Sequence, residues 1–116
     1  MKEFMLIFIG TDYETEDFSP ELAEQQMGKW FAWVDKLQKE DLYVEGRPLV
    51  TAAKRVGGKD RLVSDGPFVE TKELVGGYFI VKARNWDHAV ELTADYPDYE
   101  YGGYVEVREV AVYDQA

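Results

Sequence analysis

Residues 61–81, RLVSDGPFVETKELVGGYFIV, contain one strand-like run that stops at Asp65-Gly66-Pro67-Phe68 and a second that restarts after Gly76-Gly77. An aspartate in a turn usually accepts the backbone N–H two residues on, but here that residue is Pro67, which has none to give. The ordinary Asx-turn therefore cannot form. Gly66 is pushed towards extended or positive-φ backbone by the proline that follows, so the chain turns sharply and Phe68 can anchor it by burial. Asp65 needs another partner: the Phe68 N–H, a cation or a ligand. It is read either as a carboxylate that caps the loop or as one that faces a ligand.

Outward from this segment the apolar pattern organises the chain. Gly77 to Ala83 is nearly all apolar, and Phe4 to Ile9 is apolar at every position, so both are predicted as central strands covered on both faces. Ser19-Pro20-Glu21 supplies a helix cap, a first-turn proline and a charge that complements the dipole. Ala23, Met27, Trp30, Val34 and Leu37 then form the predicted inner stripe of a long helix. Leu42 to Val50 reads as a strand softened by Gly46 and Pro48, which suit a sheet edge. Ala52 to Val63 reads as a hairpin turning at Gly57-Gly58-Lys59-Asp60. Asn85 caps a shorter helix with the predicted inner stripe Trp86, Ala89, Val90 and Thr93, leaving His88 exposed. Gly103 to Val112 is the last strand, with Val105, Val107 and Ala111 on one face and Tyr104, Glu106, Arg108 and Val110 on the other.

A βαββαβ order with an inserted β-hairpin predicts an α+β, ferredoxin-like fold: a four-stranded antiparallel sheet with both helices on one face. The other face, with Met5, Ile7 and Ile9 or their alternates, Tyr78, Ile80, Tyr104 and Val110, then has no cover of its own. A homodimer packed sheet to sheet would provide it.

At 116 residues the chain is expected to be a single domain, 1–116, and it has no cysteine, which excludes disulfides, thiolate metal sites and a cysteine nucleophile. Thirteen basic against twenty-three acidic residues give a net charge of −10, which argues against nucleic-acid and anionic-membrane partners. The stretch from Gly46 to Arg61 nevertheless carries +4, read either as a small anion site or as a solvated hairpin whose lysines discourage edge pairing. The apolar first run is too short to span a membrane and no targeting segment is evident, so a cytoplasmic location is expected. No spacing of His, Asp or Glu matches a metal-ligand set, and Gly57-Gly58 and Gly76-Gly77 lack the setting of a phosphate cradle, so no metal and no cofactor are expected.

SDGPFVETKE, GGYFIV and GGYVEVREV together closely resemble the YCII-related proteins, in particular the branch called the DGPF domain, over essentially the whole chain. The resemblance implies a dimeric α+β barrel, in a superfamily whose members include oxygenases, isomerases and dehydrochlorinases. It further implies a histidine–aspartate pair with the histidine on the first helix. Asp65 takes the aspartate's place, but the first helix carries Trp30 near the expected histidine, and His88 lies on the second helix.

Asp65 and Arg108 are thus the candidate catalytic residues, and Phe68, Tyr78, Tyr104 and Glu106 the candidate ligand-binding ones. Glu106 and Arg108, two apart on a strand, either pair with each other or leave Arg108 to reach Asp65 or a carboxylate-bearing ligand. The loop from Asp95 to Tyr101, interleaving acids with tyrosines, is a surface loop packed by its own rings, a subunit contact or an aromatic wall for a ligand. Two functions are compatible with these residues. One is a small enzyme doing acid/base chemistry on a compact aromatic or anionic metabolite, with Asp65 in the cleft. The other is a non-catalytic ligand-binding or accessory protein in a stress or regulatory setting, which the resemblance links to extracytoplasmic-function sigma factors.

Overall fold

The structure is a computed structural model that describes residues 1–14, 18–66 and 74–113. Its elements follow the order β1 (Lys2–Ile9), α1 (Pro20–Lys39), β2 (Tyr43–Pro48), β3 (Lys54–Gly57), β4 (Leu62–Asp65), β5 (Val75–Ala83), α2 (Trp86–Leu92) and β6 (Tyr104–Glu109). Four strands pair antiparallel in the order β2-β5-β1-β6, while β3 and β4 form a separate two-stranded ribbon. This is the ferredoxin-like α+β arrangement expected from the sequence, with the two most apolar strands central and β2, which holds Gly46 and Pro48, at an edge.

Strand alternation sorts the side chains. Phe4, Leu6 and Phe8 of β1 and Phe79, Val81 and Ala83 of β5 are buried against Trp33 and Leu37 of α1 and Ala89 of α2. Phe8 is the hub of an aromatic cluster, with ring centroids 4.7 Å from Trp30, 4.8 Å from Phe79, and 5.6 Å from both Trp33 and Tyr96. Such edge-on and offset rings add to the area they bury. The Trp33 indole also donates to Leu92 O at 3.1 Å, tying α1 to the end of α2.

Both helix starts match their sequence signals: Ser19 Oγ accepts the Leu22 N–H at 3.1 Å, and Asn85 Oδ1 accepts the His88 N–H at 2.8 Å. The inner stripes differ from expectation. In α1 the buried residues are Gln26, Trp33 and Leu37, while Met27 is exposed; a polar side chain faces inward because buried acceptors await it there. In α2 the buried pair is His88 and Ala89, and Trp86 and Val90 are about half exposed. His88 is therefore not the surface histidine the helical pattern suggested. Its Nδ1 accepts the Arg84 N–H at 3.0 Å, so it satisfies the backbone where β5 hands over to α2.

The face away from the helices carries rows set by register. Arg47, Tyr78, Ile7 and Glu106 form one, and Glu45, Ile80, Met5 and Arg108 the next. An apolar centre of Met5, Ile7 and Ile80 is thus rimmed by charges, narrower than the continuous apolar flank expected. Lys54 pairs with Asp65 across the β3/β4 ribbon, whose eight strand residues are all exposed.

Gly46 sits under the aromatic cluster. A Cβ there would lie 2.5 Å from Phe79 Cδ1 and 2.7 Å from the Tyr43 hydroxyl, so only hydrogen fits. Gly46→Ala is expected to destabilise the fold by about 1–3 kcal/mol through overpacking, read as a lower urea midpoint with an unchanged slope. An unaltered midpoint would mean that β2 shifts freely away from β5.

Candidate functional site in an aromatic cleft

Where β1 ends and β5 begins, the chain leaves an open cleft of about 250 Å³. The turn after β1 supplies Thr11, Tyr13 and Glu14, α1 supplies Trp30, and the segment between α2 and β6 supplies Tyr96 and Asp98. Pro48 to Thr51 closes the other side. That edge is held by the Leu49 N–H donating to Gly76 O at 2.9 Å and the Thr51 hydroxyl donating to Asp12 Oδ1 at 3.1 Å.

Asp98 is the centre of the site. It is 1% exposed, and its Oδ1 accepts from the Tyr13 hydroxyl and, at 2.9 Å, from Gln26 Nε2. Gln26 Nε2 also reaches Pro97 O at 3.2 Å, and the Trp30 indole donates to the Tyr13 oxygen at 3.1 Å. A directed chain of donors from Trp30 through Tyr13 thus ends on one carboxylate oxygen. Among the described residues no Lys, Arg or His forms an ion pair with Asp98, and no hydrogen bond reaches its Oδ2. A carboxylate held so deeply without a counter-ion is costly, which singles it out from the acidic surface.

The neighbouring phenols are kept neutral. Burial, reinforced by the bond to Asp98, holds the Tyr13 hydroxyl well above the usual phenol range, and burial pushes Tyr96 up to about 12. Thr11 Oγ1 is buried beside the Tyr96 hydroxyl without a well-formed hydrogen bond. Gly103 closes this corner: a Cβ on it would strike the Tyr96 hydroxyl and come within 2.7 Å of Thr11 Oγ1. Two surface ion pairs, Lys29 to Glu100 at 3.2 Å and Lys36 to Asp95 at 2.8 Å, strap the segment bearing Asp98 onto α1.

The residues singled out from sequence lie elsewhere. Asp65 is on the exposed ribbon, its Oδ1 2.7 Å from Lys54 Nζ. Arg108 pairs with Glu106 at 3.4 Å on the open sheet face, the first of the two arrangements considered for it. Tyr78 donates to Glu45 Oε1 at 3.0 Å on that same face, and Tyr104 stands there exposed. Phe68 lies outside the described residues. The structure does not bring Asp65 and Arg108 to the cleft within one chain, whereas Trp30, near the place of the histidine that the resemblance implies, does line it. An indole is no base. Among the described residues no group of three or more acidic or histidine side chains is placed to hold a metal ion, and no helix is long and apolar enough to cross a membrane.

Tyr13, Gln26 and Asp98 were missed in the sequence because their partners are far apart in the chain. One signal was present: Gln26, Trp30, Trp33 and Leu37 recur at helical steps, so a polar residue occupies the top of an otherwise apolar stripe.

The sequence model of the YCII-related domain matches residues 4–113. A comparison with curated proteins finds no match.

The phenols set a pH dependence. A group whose folded-state pKa is raised stabilises the fold fully below its unfolded value, here 10.0, and that contribution fades as pH climbs through the folded value. Stability is therefore expected to fall as pH rises from 10 towards 12, with Tyr96→Phe flattening that fall and Tyr13→Phe removing its continuation at higher pH. Tyrosinate absorbance followed alongside unfolding checks this: simultaneous ionisation of all tyrosines near pH 10 would contradict the burial argument.

Proposed function

Because the chain belongs to the YCII-related family, and the matched segment takes in every residue of the cleft, we propose that it is a small enzyme performing acid/base chemistry on a compact, partly aromatic metabolite. Asp98 acts as the base. The observation that carries this reading is its buried carboxylate, bonded on Oδ1 by neutral donors only and lining the cleft. Tyr13 and Gln26 orient the carboxylate, and Oδ2 takes a proton from the substrate and returns it as the reaction closes. Trp30, Phe8 and Tyr96 present aromatic surface to a flat substrate, while Leu49 and Val50 narrow the entrance.

The string SDGPFVETKE supports placing the chain in the DGPF branch, and we take it as a cytoplasmic homodimer, a state that would cover two apolar surfaces. One is centred on the partly exposed Met5 and Ile7, with Tyr78 and Tyr104 around them. The other is the ribbon, where Val56, Leu62 and Val63 are each at least 60% exposed. A two-stranded ribbon is marginal by itself and gains stability by packing on a second copy. In such a dimer Asp65, Arg108, Glu106 and Phe68 reach a ligand across the subunit boundary rather than within one chain. Sedimentation is expected to give a dimer at micromolar concentration; a monomer would remove this role for them.

A second reading, a non-catalytic ligand-binding or accessory protein in a stress setting beside extracytoplasmic-function sigma factors, is favoured by one feature. The hydrogen bonds linking Trp30, Tyr13, Asp98 and Gln26 form without a ligand, as a preset binding wall would.

A fragment screen read by NMR on the full chain separates the two. Ligands are expected to shift the Trp30 indole N–H and the amides of Thr51 and Gly76. For any fragment the protein converts, Asp98→Asn should lower turnover roughly 10²-fold or more while the fold persists. Binding without conversion supports the accessory reading, and ligands that map only to the ribbon would displace the cleft from both. Asp65→Asn adds a further arm: its exposed pair with Lys54 is worth under about 1 kcal/mol, so a loss of ligand binding at unchanged stability would assign Asp65 to the partner's site.

A further inference from the structure

The lining of the cleft has a one-sided charge that specifies its occupant. Among the described residues around it are two carboxylates, Glu14 and Asp98, and no lysine or arginine. Arg47, beside the mouth in sequence, directs its Nη1 to Gly46 O at 2.7 Å. Resting on the reading of this cleft as a small-molecule site, we propose that its ligand is an organic cation, a compact ammonium borne on an aromatic or alkyl group. The described lining argues against the anionic metabolite admitted from sequence.

Three independent features converge on a positive group. The first is Asp98 Oδ2, on a residue 1% exposed and bonded only through its other oxygen; an ammonium N–H would give it the counter-ion that the chain does not supply. The second is Thr11 Oγ1, buried beside the Tyr96 hydroxyl without a well-formed hydrogen bond, an acceptor for a second ammonium hydrogen. The third is the aromatic surface of Trp30, Tyr96, Tyr13 and Phe8, whose ring faces attract a cation electrostatically, the indole most strongly. A neutral ligand would leave Asp98 uncompensated in a cleft it has just dried. An anion would meet two like charges on a protein of net charge −10.

Three probes of one size test this: benzylammonium, benzyl alcohol and benzoate, titrated into the full chain at neutral pH and followed by the Trp30 indole N–H resonance. The ammonium is expected to bind at least about tenfold more tightly than the alcohol, with benzoate undetectable. Asp98→Asn should erase the advantage of the ammonium while leaving the alcohol nearly unchanged. Trp30→Leu, which keeps the carboxylate and is followed by the Thr51 and Gly76 amides in place of the lost indole, should weaken the ammonium more than the alcohol, and it answers the question should the Asn variant fail to fold. Equal binding of ammonium and alcohol, or preference for benzoate, with the indole still responding, overturns the cation and leaves the cleft as a site. Silence of the indole to all three probes overturns the cation, and the fragment screen then decides the cleft itself.

Discussion

Three parts of the chain that share no secondary-structure pairing meet at one buried carboxylate. Asp98 draws a phenol from the turn after β1, an amide from the first half of α1 and, through that phenol, an indole one helical turn further along. Removing any donor would leave polar groups stranded in a low-dielectric interior, so the three parts are positioned together or not at all. The cleft exists because this cluster holds its far wall in place. The sheet alone would supply only Phe8 and the strand ends.

Much of the fold could be read from residue order because it rests on local, repetitive signals. Phe4 to Ile9 and Gly77 to Ala83 are apolar without interruption and proved central; Ser19 and Asn85 cap helices that begin where expected; Gly46 and Pro48 lie in an edge strand. The helical stripes were misjudged for a single reason. Hydrophobicity ranks Met27 and Val90 inside and Gln26 and His88 outside, but burial of a polar group depends on whether a partner waits for it. Pro97 O, Asp98 and the Arg84 N–H are such partners, and only the folded chain brings them near. The same limit applies to the site. Asp65 drew notice through an unusual local sequence, whereas Asp98 sat in a loop recognised for its tyrosines and acids without any local mark of its partners.

Charge is handled differently in the cleft and on the open face of the sheet. In the cleft the buried Asp98 carboxylate is surrounded by neutral donors. On the open face Glu106 pairs with Arg108 along a strand and Glu45 accepts from Tyr78, around a small apolar centre. Paired charges around an oily middle are what subunit interfaces commonly present, since they set orientation without large net desolvation. The positive stretch that includes the ribbon and the negative remainder are likewise suited to attract across two copies.

The cleft's two walls differ in how deeply they are tied into the molecule. Tyr13, Trp30, Tyr96 and Asp98 interlock with the core, but Leu49 to Thr51 are attached by one backbone bond to Gly76 and one hydroxyl bond to Asp12. Exchanging those three side chains would reshape the entrance while leaving the buried carboxylate undisturbed. A lineage built on this scaffold could thereby diversify what the cleft admits by rewriting a tripeptide, with folding inherited intact.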